Sequence, residues 1–255
     1  ILRLWLTQYV CENENIEFKK KLAKEIKLFL LKWAEAEAFM KTRKNNSDTY
    51  CCIQDGVLNM NYNMSDFLTA YLVVTQDFPD DPNNEKIIIN WVKKYMKKYG
   101  NRHFKKDSVG QFFNQHAVLR DYLNLKIAIL TNDNKLFAKA AKRALIFFAQ
   151  STPEGVYPYT AVRGQKATFY NHEVMNDYTH LLEVLRAQDY DLYNFELAGR
   201  SYKKNAEFLM GVWMNYDCAK GFTYQNFTNV KLQKGTSYKL CEQISSNEEY
   251  ELLQY

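Results

Sequence analysis

The chain is poor in the two residues that turn a backbone most sharply: 9 glycines and 4 prolines in 255 residues. An all-β protein built on many tight turns is excluded by that scarcity. Cysteine is sparse as well. The five are Cys11, Cys51, Cys52, Cys218 and Cys241, and none form a CxxC pair. No zinc knuckle and no disulfide framework is written there, and one isolated bridge stays open. No apolar run approaches the roughly 20 residues needed to cross a bilayer, so no membrane span is expected. A phosphate-cradling glycine loop, zinc-finger spacing and an aromatic-basic ribonucleoprotein motif are all missing, and nucleic acid is not an expected partner. No clear Asp/Glu pair suggests ordinary glycoside hydrolysis. No carboxylate cluster suggests a metal, and no cofactor is expected.

Aromatic residues, by contrast, are plentiful: 19 Tyr, 16 Phe and 4 Trp. Most must be core, and a surplus of Tyr and Trp also suits a groove that stacks on sugar rings. Charged residues make up 25% and hydrophobic residues 47%, as expected of a globular domain with a sizeable core. The net charge of +5 favours an anionic partner. The densest basic run, Lys93 to Lys106, reads in its first half as the solvated face of a helix ending near Gly100. The chain opens at Ile1 rather than Met, so a leader is expected to be missing from it.

Apolar periodicity is helical almost throughout. It predicts a helix from Ile16 to Met40, with Phe18, Leu22, Ile26, Phe29 and Trp33 on one stripe. A second is expected from a Ser65 cap to Thr75, after a loop holding "IQDGVLNMNYN". Further helices are predicted over 84–99, 110–131, 134–150, 173–188 and 193–214. The stretch from Cys218 to Leu240 reads as loop with a short hairpin, and the end of the chain as one short helix. Helices joined by short loops make an all-α fold, in which antiparallel pairs close into an α/α toroid or stack as a bundle or solenoid. A single domain over 1–255 is expected.

Two stretches crowd polar chemistry. In "GQFFNQHAVLRDYL", from Gly110, the spacing of Phe112, His116, Leu119, Leu123 and Leu130 puts His116 on the inward stripe, with Asn114 and Gln115 just before it. A core histidine satisfied by one hydrogen bond is the plainer reading, and a groove residue the sharper one. In "GVYPYTAVRGQKATFYNH", from Gly155, turn residues give way to Arg163, Lys166, Tyr170 and His172 before the next helix. Such loops commonly carry binding sites, although Arg163 and Lys166 also read as solvated charges and Tyr170 as a packed ring.

Together the stretches resemble the alginate lyase family of helical-toroid polysaccharide lyases. The resemblance lies in Asn114-Gln115-His116, then "TNDNKLFAKAAKRALIFFAQ", then Gly155, Pro158, Arg163 and Tyr170 in order, then "EVMNDYTHLLEVLRAQDYDLY". It covers roughly residues 64–195. The family usually carries a second asparagine where Gln115 stands. Some members have an arginine at Lys166, or place the tyrosine where this chain has Glu173.

The resemblance implies an α/α toroid and β-elimination on a uronic-acid polymer. In that chemistry the sugar carboxylate must be neutralised before the C5 proton can leave. Arg163 is the implied neutralising group, with Asn114, Gln115 and Lys166 binding beside it. His116 is assigned as base and Tyr170 as acid, and His172 is the reserve for either role. The implied partner is an acidic polysaccharide, and the implied location is secreted or periplasmic. The alternative is a non-catalytic module that binds acidic glycans or serves as a helical scaffold.

Overall fold

The computed structural model of the chain describes residues 1–40, 51–99, 115–157, 160 and 167–214. Among these residues lie eight α-helices and one two-residue hairpin. The helices are α1 (Leu2–Cys11), α2 (Ile16–Glu35), α3 (Cys51–Asp77), α4 (Pro82–Tyr99), α5 (Gln115–Thr131), α6 (Asn134–Ala149), α7 (Ala167–Arg186) and α8 (Tyr202–Met214). β1 (Glu196–Leu197) and β2 (Arg200–Ser201) pair antiparallel, with Glu196 opposite Ser201. The expected C-terminal hairpin and the short helix after it lie outside the described residues.

The chain divides into two compact units. The first takes the described residues up to Tyr99 together with Leu123–Phe137. There α2 packs against α1, α3 and α4. Asn15 opens α2 by accepting the Phe18 N–H at 2.9 Å. The apolar stripe then buries Leu22, Ile26 and Leu30 against Leu68, Tyr71 and Val74 of α3 and Trp91, Val92 and Tyr95 of α4. Phe18, expected on that stripe, is instead exposed. α2 stops five residues short of the expected Met40. Glu37 and Phe39 take φ of 47° and 65°, which reverses the chain. The turn lets the Ala38 carbonyl accept Trp91 Nε1 at 2.8 Å, and Phe39 stacks on Trp91 at 6.2 Å.

Burying one such Leu or Ile is worth about 1.5–3 kcal/mol. An exposed pair such as Arg3–Asp66, with Arg3 78% exposed, is worth at most about 1 kcal/mol. Apolar packing therefore holds this unit together. The basic run behaves as expected: Lys93, Lys94, Lys97 and Lys98 are exposed while Tyr95 and Tyr99 are buried.

α3 begins fourteen residues before its expected cap. Ser65 lies inside it and is 2% exposed. Its hydroxyl accepts Lys126 Nζ of α5 at 2.7 Å, and its carbonyl accepts the same ammonium at 3.0 Å. Thr69 Oγ1 is a third acceptor, at 2.6 Å.

The second unit takes the described residues from Gln115 to Tyr122 and from Ala138 on. Its centre is α7. Tyr178 is buried against Phe147 and Phe148 of α6, with ring centroids 4.9 and 5.8 Å away, and its hydroxyl donates to the Ala144 carbonyl at 3.1 Å. Thr179 Oγ1 meets Tyr202 Oη of α8 at 2.8 Å. The expected helix from 193 starts only at Tyr202, because Ala198 and Gly199, at φ 50° and 76°, turn the chain into the hairpin first.

Candidate active site

Two helices carry the expected chemistry, and both bring it in their first turns. α5 opens with Gln115 and His116. The helix is not one-sided: residues 117–121 and 123–128 are all buried. The set includes the expected Leu119 and Leu123, and also Arg120, Asp121, Asn124 and Lys126. α7 begins at Ala167, six residues earlier than the periodicity suggested. Tyr170 and His172 therefore sit on a helix rather than in a loop. Both are half-buried, as is Glu173. The Tyr170 ring meets the exposed Phe169 ring edge-on at 5.4 Å.

One contact joins the two helices. Tyr122 of α5 lies flat against His180 of α7, with centroids 5.6 Å apart and planes 18° apart. The helix that carries His116 and the helix that carries Tyr170 are thus direct neighbours. Asn114, Arg163 and Lys166 lie outside the described residues, as do the side chains of Gln115 and His116.

A buried charge cluster sits one turn after His116, and the sequence reading did not anticipate it. Asp121 accepts Arg143 Nε at 2.8 and 2.7 Å and Arg120 Nη2 at 3.1 Å. Burial pushes the Arg120 guanidinium down to about 10, against the pull of Asp121, so it stays charged at neutral pH. The pairing ties α5 to α6 by charge-assisted bonds. The signal for it was an arginine–aspartate pair inside a largely apolar helical stretch.

The segment ahead of α7 is built on Gly155. Its φ is 95°, and a Cβ there would stand 2.2 Å from the Lys204 carbonyl oxygen of α8. Asn205 Nδ2 donates to the Gly155 carbonyl at 2.8 Å, and Arg200 Nε donates to the Ser151 carbonyl at 2.6 Å. Tyr157 is buried and stacks on Phe147 at 4.6 Å. The chain toward Arg163 therefore leaves from a fixed point.

A family model described as alginate lyase matches residues 5–215. The chain belongs to the alginate lyase family. The match is wider than the 64–195 stretch that carries the motif resemblance, and takes in most of α1 and all of α2 and α8. No curated protein sequence matches this alginate lyase family chain. Among solved structures it is similar to alginate lyase A1-III from Sphingomonas species A1, at 17% identity, covering 88% of this chain and 60% of that one, with a TM-score of 0.70. It is also similar to a Tyr-to-Phe variant of alginate lyase A1-III complexed with tetrasaccharide, at 17% identity, 87% and 59% coverage and a TM-score of 0.70. A His-to-Ala variant in complex with tetrasaccharide gives 16%, 88%, 62% and 0.70. The likeness establishes the expected fold class, the all-α α/α toroid of these lyases. The chain spans about three fifths of the length of these relatives. Among the described residues of this family member, no helix is long and apolar enough to cross a membrane.

Proposed function

We propose that this chain is a polysaccharide lyase acting on a uronic-acid polymer of the alginate type by β-elimination. The observation that carries the reading is an interval. From His116 to Tyr170 the chain counts the same number of residues as separates the replaced histidine from the replaced tyrosine in the two tetrasaccharide complexes of alginate lyase A1-III. The contact between Tyr122 and His180 supports it further, because it makes neighbours of the helices bearing those two residues.

The chemistry assigned to the residues runs as follows. The uronate carboxylate is neutralised by Arg163, with Asn114, Gln115 and Lys166 donating hydrogen bonds, so that negative charge developing over C5 and the carboxylate is stabilised. His116, carried on α5, takes the C5 proton as the general base. Electrons from the C5–H bond form the C4–C5 double bond while the C4–O4 bond breaks. Tyr170 donates its phenolic proton to the departing O4, and His172, two residues on, is the reserve for either proton step. A polymeric substrate of this kind is met outside the cell or in the periplasm, where we place the protein.

The test is a panel of polymannuronate, polyguluronate, glucuronan and hyaluronan, followed by absorbance of the unsaturated product. Turnover is expected on at least one polymer. His116→Ala and Tyr170→Phe are each expected to lower it about 10²- to 10⁴-fold. Turnover that survives both replacements removes the assignments. Silence of the wild-type protein on all four polymers leaves a non-catalytic module that binds acidic glycans.

A further inference from the structure

The solvent face of α7 carries aromatic groups that the elimination chemistry does not use. Phe169 is 58% exposed. A single exposed aromatic ring is ordinary, but this one touches the ring of Tyr170 edge-on at 5.4 Å. About three helical turns further, on the same side of α7, His180 is exposed and lies flat on Tyr122. Tyr122 is half-buried in a run of α5 whose neighbours on both sides are buried. Half-buried Glu173, which has interactions of its own, and exposed Asn176 lie between the two aromatic positions on that face, so hydroxyls rather than carboxylates of a sugar chain must pass Glu173. Beyond His180, the Glu183 carboxylate is occupied by Arg186 at 2.6 Å and by the Tyr193 hydroxyl at 2.6 Å, which blunts its repulsion of an anionic chain. Phe169 and His180 are separated by roughly 16 Å along the axis, the reach of an oligosaccharide rather than of one ring.

We propose that this face of α7, from Phe169 to the Tyr122–His180 stack, is a saccharide track that holds successive sugar rings of the uronate chain beside the linkage cut at Tyr170. The apolar C–H face of one pyranose stacks on Phe169, a second lies on His180, and Asn176 hydrogen-bonds hydroxyls between them. The inference rests on the polysaccharide reading above, because the track continues from Tyr170.

Calorimetric binding of uronate oligosaccharides from disaccharide to hexasaccharide tests it, alongside product absorbance for the same proteins. Wild-type affinity is expected to climb with length. Phe169→Ala weakens every length by roughly three- to tenfold, and Phe169→Tyr restores it. His180→Ala leaves the disaccharide unchanged and removes the gain at the longest lengths. Both side chains are exposed, so the replacements leave the core alone. Variants that bind every length as the wild type does overturn the track. Length-dependent binding that these variants reduce, without unsaturated product, keeps the track and removes the lyase chemistry. Product formation with unaltered variant affinities removes the track alone, and neither binding nor product removes both.

Discussion

Gly155 shows how much one residue can decide without any chemistry of its own. Its turn character was legible from the neighbouring Pro153 and Pro158. Its real constraint was not, because the Lys204 carbonyl that fills the place of a Cβ comes from about fifty residues away in sequence. Gly155→Ala combines a left-handed φ of 95° with a backbone collision at 2.2 Å. The three nearest atoms, Lys204 O and C and Asn205 N, are all backbone, so the loop or α8 must move. The expected cost is about 2–4 kcal/mol, read as a lower urea midpoint with an unchanged slope. Lys204→Ala keeps the same backbone oxygen in place and is expected to leave the midpoint within about 0.5 kcal/mol.

Between elements, the contacts worth testing are polar bonds in apolar surroundings. Lys126 is 2% exposed, and its ammonium joins α5 to α3 through Ser65 and Thr69. Ser65→Ala takes an acceptor from a buried charge and is expected to cost about 1–3 kcal/mol. Lys126→Met removes the charge itself, and Thr69 Oγ1 still donates to the Ser65 carbonyl at 2.9 Å. That replacement is expected to cost less than Ser65→Ala, and the double variant less than the sum of the two. α1 is held by a different bond: the Tyr9 hydroxyl donates to Asp77 Oδ2 at 2.6 Å. That hydrogen bond, with help from Lys19, holds the Asp77 carboxyl below its usual range, while burial drives the Tyr9 phenol upward. A depressed carboxylate stabilises the fold above its unfolded value near pH 4 and ceases to as pH falls through the folded value. Tyr9→Phe should therefore be less stable than wild type at neutral pH, and the gap should narrow as pH falls through the folded value of Asp77. Urea titrations at neutral and at acid pH measure it. Neither bond was legible. Ser65 looked like a cap because serine before an apolar run usually is one, and α1 had too short a pattern to stand out. α4 and α6 were legible nearly to the residue, because Pro82 and Asp133 mark their starts and each has a clear apolar stripe.

At the scale of the whole molecule, the order of motifs from Asn114 to Tyr170 carried the family reading, because order and spacing survive where individual residues drift. What the pattern could not supply was the buried environment of α5. A helix closed on nearly all sides shows no one-sided periodicity, and the partner that Asp121 finds in Arg143 of α6 lies 22 residues away in sequence. The charge of the chain leads to the last expectation. A net +5, with the lysines of α4 exposed, gives a field that draws a polyuronate from a distance. Such attraction is screened once the Debye length falls from about 10 Å at 0.1 M salt to about 3 Å at 1 M. In the proposed mechanism the elimination step rests on Arg163, His116 and Tyr170 in close contact with one sugar, where salt screens little. Raising ionic strength should therefore raise KM for the polymer several-fold and leave kcat nearly constant. For a disaccharide or trisaccharide substrate, with few charges to steer, the rise in KM should be much smaller. Equal salt sensitivity for polymer and trisaccharide would put the whole electrostatic contribution in the site itself.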